Sequence, residues 1–126
     1  MPAALMPDES FYSLSAQTLY ALDEAREKIA AMLQDLPSTE PGMDAQIRAC
    51  HARIETAWQH VYRITRAIAR DFFTITPPSD TDLARAGQIG DNLHNMTATV
   101  NNTNALVTSV NDIMEIWTRT NPTKRA

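Results

Sequence analysis

The chain has 126 residues, a net charge of −4, 44% hydrophobic and 21% charged residues, a balance that fits one folded domain with one core and excludes a disordered chain. The acidic excess opposes nucleic acid and anionic membranes, which need a positive field to hold a protein. A single cysteine, Cys50, excludes an internal disulfide framework, and no apolar run approaches the roughly 20 residues that span a bilayer.

The first residues carry no positive region of the kind that opens a secretion signal, so the expected location is the reducing cytoplasm. Residues 1–7 are bounded by Pro2 and Pro7, which predicts an extended arm. A first helix is expected over about 9–36. Asp8 and Glu9 suit its positive end. Phe11, Thr18, Ala25 and Met32, with Ser15, Leu22, Ile29 and Leu36, make a seven-residue stripe. Pro37, Pro41 and Gly42 end it and turn the chain.

A second helix is expected over about 43–75. Ile47, Ile54, Val61, Ile68 and Ile75 share one heptad position; Cys50, Ala57, Ile64 and Asp71 share the other, and Trp58 widens the stripe on one flank. Pro77 and Pro78 close it. A third helix is expected over about 80–118, capped by Ser79, with Asp80 and Asp82 at its positive end. Ala86, Leu93, Val100, Val107 and Met114 repeat every seven residues, as do Ile89, Met96, Thr103, Val110 and Trp117. Such a rod spans roughly 50 Å and needs partner helices along its length. Gly87 and Gly90 mark where it would kink or divide, or where another backbone could come close. Residues 120–126 are expected to form a loose tail.

Short connections make consecutive helices antiparallel. The expected fold is therefore all-α: an antiparallel up-down-up three-helix bundle of long coiled-coil-like helices, one domain over 8–119. In that register the end of helix 3 overhangs the first loop. Trp117 then needs cover from that loop or from a second copy, which points to a homo-oligomer.

The functional residues follow from the faces left outside the seams. His51 and Glu55 lie four apart, a spacing that can hold a metal, but the other helices carry no second such pair, so no metal is expected. His60 and His94 are the phosphotransfer candidates; neither has a neighbouring lysine to neutralise a phosphoryl group. Cys50 sits in a seam and reads as a small buried hydrophobe. No glycine-rich phosphate loop, nucleophile elbow or paired catalytic carboxylates occur, so the chain is expected to be non-enzymatic and to need no cofactor. The outer face of helix 2 carries Arg63, Arg66 and Arg70 with Tyr62. Phe73 is expected to point away from the seam that Ile68 and Ile75 define. Arg, Tyr and Phe together are the composition of interface hot spots; the alternative is a solvated basic face. From Asn92 to Asn111 there is no Lys, Arg, Asp or Glu. An uncharged polar face is desolvated more cheaply than a charged one, which makes Asn95 and Asn102 further partner-binding candidates. The expected function is a protein–protein interaction or assembly module: an adaptor, inhibitor or structural component of a larger complex. The alternatives are a metal- or ligand-binding bundle and a histidine phosphotransfer module.

Overall fold

The apolar stripes wind into four helices. A computed structural model describes residues 9–34, 42–70, 73–99 and 102–124. In chain order the elements are α1 (Glu9–Gln34), α2 (Met43–Ile68), β1 (Phe73–Thr74), α3 (Asp80–Asn95), α4 (Thr103–Thr118) and β2 (Thr123–Lys124). The expected arm over 1–7, the Pro37–Pro41 turn and Asp71 lie outside the described residues. Among the described residues, no helix is long and apolar enough to cross a membrane.

Contacts between helices fix their directions. Trp58 of α2 bonds Asp23 of α1, and Glu55 bonds Arg26, so numbers rise on one helix as they fall on the other. On α3, Gly87 lies opposite Gln17, Gly90 opposite Tyr20 and His94 opposite Glu24, so α3 runs with α1. Gln46 Nε2 donates to Asn104 Oδ1 and Arg53 Nε donates to Asn111 Oδ1, both at 3.1 Å, so α4 runs with α2. Arg85 with Asp112 and Arg119 with Asp82 set α3 and α4 antiparallel. The four helices thus run up-down-up-down, and α1 packs on each of the other three.

The chain is all-helical in character, as expected, but the third rod is divided in two. Helix α3 ends at Asn95 and α4 begins at Thr103, so the rod is not divided at the two glycines, which stay inside α3. Asn and Thr are poor helix formers, and here they offer the backbone other partners. Thr99 N–H donates to Thr97 O at 2.9 Å, Asn102 N–H to Thr99 O at 2.9 Å, and Asn102 Nδ2–H to Thr97 O at 2.7 Å. Helices of 26 residues span roughly 39 Å, too short to cover a 50 Å seam. Folding the rod back lays both halves on α1. Helix α2 also ends early, at Ile68.

Most of the described heptad positions are buried. Leu22, Ile29, Ile47, Ile54, Val61, Leu93 and Val110 are fully buried, while the stripe members Ile64, Met96 and Val107 are half-buried and off-stripe Leu14, Leu106 and Ile113 are fully buried. The polar seam residues are satisfied: Thr18 Oγ1 donates to Leu14 O at 2.8 Å, and Ser15 Oγ accepts from Trp117 Nε1 at 3.2 Å. Trp117 is itself buried, beside Phe11 and edge-on to His60. Its cover comes from its own chain, which removes the overhang argument for a second copy.

The segment after α4 pairs with the one after α2. Thr74 pairs with Thr123 and Phe73 with Lys124, antiparallel. Thr76 N–H donates to Thr120 O at 2.8 Å, and Thr120 is buried. This two-residue ladder closes the bundle end where α1 begins, with Phe73 and Ile75 tucked against the core.

Candidate partner-binding face

Spacing of four along α2 places Trp58, Tyr62 and Arg66 in one column. The rings of Trp58 and Tyr62 stack, with centroids 4.7 Å apart and planes 16° apart. The Arg66 guanidinium carbon lies 5.5 Å from the Tyr62 centroid, and Arg66 Nη1 donates to Tyr62 Oη at 3.2 Å. From α1, Arg26 covers Trp58 at 4.7 Å. The result is a continuous column, Arg26–Trp58–Tyr62–Arg66, in which cations lie over aromatic faces. Its lower end is anchored. Arg26 Nε donates to Glu55 Oε1 at 2.8 Å, and Trp58 Nε1 donates to Asp23 Oδ1 at 2.9 Å.

Arg63, Arg66 and Arg70 are exposed, and Tyr62 is 38% exposed. Among the described residues, no carboxylate lies within ion-pair distance of these three arginines. Arg63 borders an open depression with Glu55, Thr56, Gln59 and His60.

The remaining expected site residues lie elsewhere. Phe73 is 6% exposed, because α2 ends before it and the strand turns its ring inward; it does not extend the arginine face. Asn95 is the last residue of α3, and Asn102 caps the turn into α4, at the bundle end opposite Arg66 and Arg70. The candidates therefore divide among an exposed Arg/Tyr face, the closed core end and the α3–α4 turn. Part of the asparagine face of α4 is engaged within the chain, since Asn104 and Asn111 accept from α2.

Heptad position alone puts Trp58 on the flank of the α2 stripe and leaves Arg26 outside the site. The signal was present as Trp58-x-x-x-Tyr62-x-x-x-Arg66, an aromatic–aromatic–cation series on one helical column. Arg26 could be added only once the α1–α2 register was known.

The histidines have separate neighbours. His51 Nε2 lies 3.8 Å from Glu55 Oε1, the oxygen that also accepts from Arg26. His94 Nδ1 lies 3.2 Å from Glu24 Oε2. His60 stands edge-on to Trp117 at 5.4 Å. Among the described residues, no three His, Cys, Asp or Glu side chains are grouped to hold a metal ion. Burial pushes the Cys50 thiol up to about 11. Desolvation, with Glu24 and Asp91 nearby, raises the Tyr20 phenol.

In comparisons with protein-family models, curated proteins and solved structures, no match was found.

Proposed function

We propose that this chain is a non-enzymatic protein–protein interaction module of the cytoplasm, a small adaptor, inhibitor or structural component of a larger complex. Its partner meets Tyr62, Arg63, Arg66 and Arg70. The observation that carries this reading is the column Arg26–Trp58–Tyr62–Arg66, half-buried at Arg26 and Trp58 and exposed at Tyr62 and Arg66.

Ordering a long side chain on binding costs about 0.5–1.5 kcal/mol. Arg66 is already held by the Tyr62 ring and hydroxyl, so part of that loss is met before the partner arrives. Aromatic and arginine side chains with an apolar body and a polar edge are the usual anchors of such contacts. Self-association is a separate expectation for which Trp117 no longer argues.

The test is crosslinking capture from host extract. The wild type, an Arg66→Glu/Arg70→Glu variant and a Gln88→Ala control on the exposed part of α3 are compared, with helicity checked by circular dichroism. A partner held by the wild type and the control, but lost by the double variant at unchanged helicity, supports this face. Equal capture by the double variant rules it out.

A further inference from the structure

We infer that the partner presents an acidic amphipathic helix to this face, an inference that rests on the interaction reading above. Arg63 and Arg66 stand at i and i+3 of α2, and exposed Arg70 follows in the turn just past its end at Ile68, so the basic stripe runs off the end of the helix. A partner helix with Asp or Glu at i and i+3 presents carboxylates at the spacing of Arg63 and Arg66, and a third carboxylate one turn further along faces the turn that holds Arg70. Each guanidinium can then take a carboxylate through paired N–H donors. Beside the stripe, Arg26 and Arg66 cover the outer faces of the Trp58–Tyr62 stack, and the exposed edge of Tyr62 is left for an aliphatic side chain on the adjacent turn of the partner helix.

Charge also selects the class of partner. The chain carries −4 overall, and the basic stripe ends abruptly. Below it on the same side lie Asp23, Glu27 and Glu55, which line the groove between α1 and α2 with Arg26 and His51. A nucleic acid strand repeats its charge without interruption and would run from the arginines onto those carboxylates. A short acidic helix stops where the arginines stop. The junction between basic stripe and acidic groove also fixes where along α2 the partner's acidic segment sits.

The probe is a stapled helical peptide with glutamates at i, i+3 and i+7 and leucines on the adjoining face. Its controls are a scrambled peptide of the same composition, a peptide with lysine for each glutamate, and a short single-stranded oligonucleotide. The readout is the NMR signals of the Arg63, Arg66 and Arg70 side chains and the Tyr62 ring in the full chain. The helical glutamate peptide is expected to shift these signals, and Arg63→Glu/Arg66→Glu to weaken its binding by about tenfold or more. The lysine peptide is expected to bind that variant better than it binds the wild type. Equal binding of the scrambled peptide, absence of any peptide effect, or an effect of the oligonucleotide in place of the peptide overturns the inference. If the peptide fails while host capture still depends on Arg66 and Arg70, the acidic-helix partner alone is lost. If host capture is also indifferent to them, the face itself is lost.

Discussion

The ring of Tyr20 on α1 occupies the space beside Gly90 on α3: a Cβ added at Gly90 would lie 2.7 Å from Tyr20 Cδ2. Glycine is kept inside α3 there by close approach of the neighbouring helix. At Gly87 the same construction meets Gln17 Nε2 at 3.8 Å, an ordinary contact. The two glycines, three residues apart on one helix, therefore respond in opposite senses. Gly87→Ala should stabilise by about 0.5–1 kcal/mol through helix propensity and the lower entropy of the unfolded chain. Gly90→Ala gains the same amount but must displace the ring, and should be net destabilising by about 1 kcal/mol or more. Urea melts of both variants, and of Gly90→Ala combined with Tyr20→Ala, check this. Loss of the Gly90 penalty in the double variant would assign it to the ring.

These glycines also show what the sequence could and could not convey. They were legible as the places where the third rod would break or be approached closely. What comes close, at Gly90, is the Tyr20 ring and not a backbone, and the break is elsewhere. The heptad stripes of α1, α2, α3 and α4 gave the helical class and most buried positions, because periodicity reports the face that must be covered. They did not report length matching: the stripe continues through Met96 and Thr103 as though the rod were single. What divides it is hydrogen bonding by Thr97, Thr99 and Asn102, and the shortness of the helices it must lie on. Ser15, a polar member of the seam, is the acceptor for an indole 102 positions away. Phe73 was misplaced for a similar reason, since its orientation depends on pairing with the chain after α4.

Trp117 tests whether the closed end is built as described. Its ring is 1% exposed, and its indole N–H reaches Ser15 Oγ at 3.2 Å. Trp117→Ala should cost about 3–5 kcal/mol, a large share of the roughly 5–15 kcal/mol typical of such domains. Ser15→Ala leaves the ring in place but strands a buried donor, and should cost about 1–3 kcal/mol. Denaturant midpoints measure both. A Trp117→Ala loss below 1 kcal/mol would mean that the ring is not packed in the monomer, and would restore the argument for cover by a second copy.

The α3–α4 reversal makes a narrower prediction. Asn102 donates from Nδ2 to the backbone oxygen of Thr97, while the Thr97 side chain takes no part in that bond. Asn102→Ala should therefore lower stability by about 0.5–1.5 kcal/mol, and Thr97→Ala should change it by no more than about 0.5 kcal/mol. Hydrogen exchange at the Asn102 and Thr103 amides should rise in the first variant and not in the second. Equal losses in both would mean that the turn is held by something other than this bond.

Cys50 supplies a chemical probe of the core and a pH dependence of defined sign. The residue is 2% exposed, and burial pushes its thiol from 9.0 up to about 11. Two units remove about a hundredfold of the reactive thiolate at pH 8. Labelling of the folded chain at that pH should therefore be at least about a hundredfold slower than labelling in urea, and its rate should follow opening of the bundle. The folded state holds this proton more tightly than the unfolded chain does. Its contribution to stability is thus fully present below pH 9 and is lost as pH rises through about 11. The raised Tyr20 phenol acts in the same direction. Cys50→Ala should flatten the alkaline limb of the stability curve, and adding Tyr20→Phe should flatten it further. A folded thiol that labels as fast as the unfolded one would mean that α2 does not turn Cys50 into the seam, and the packing of α2 on its neighbours would have to be redrawn.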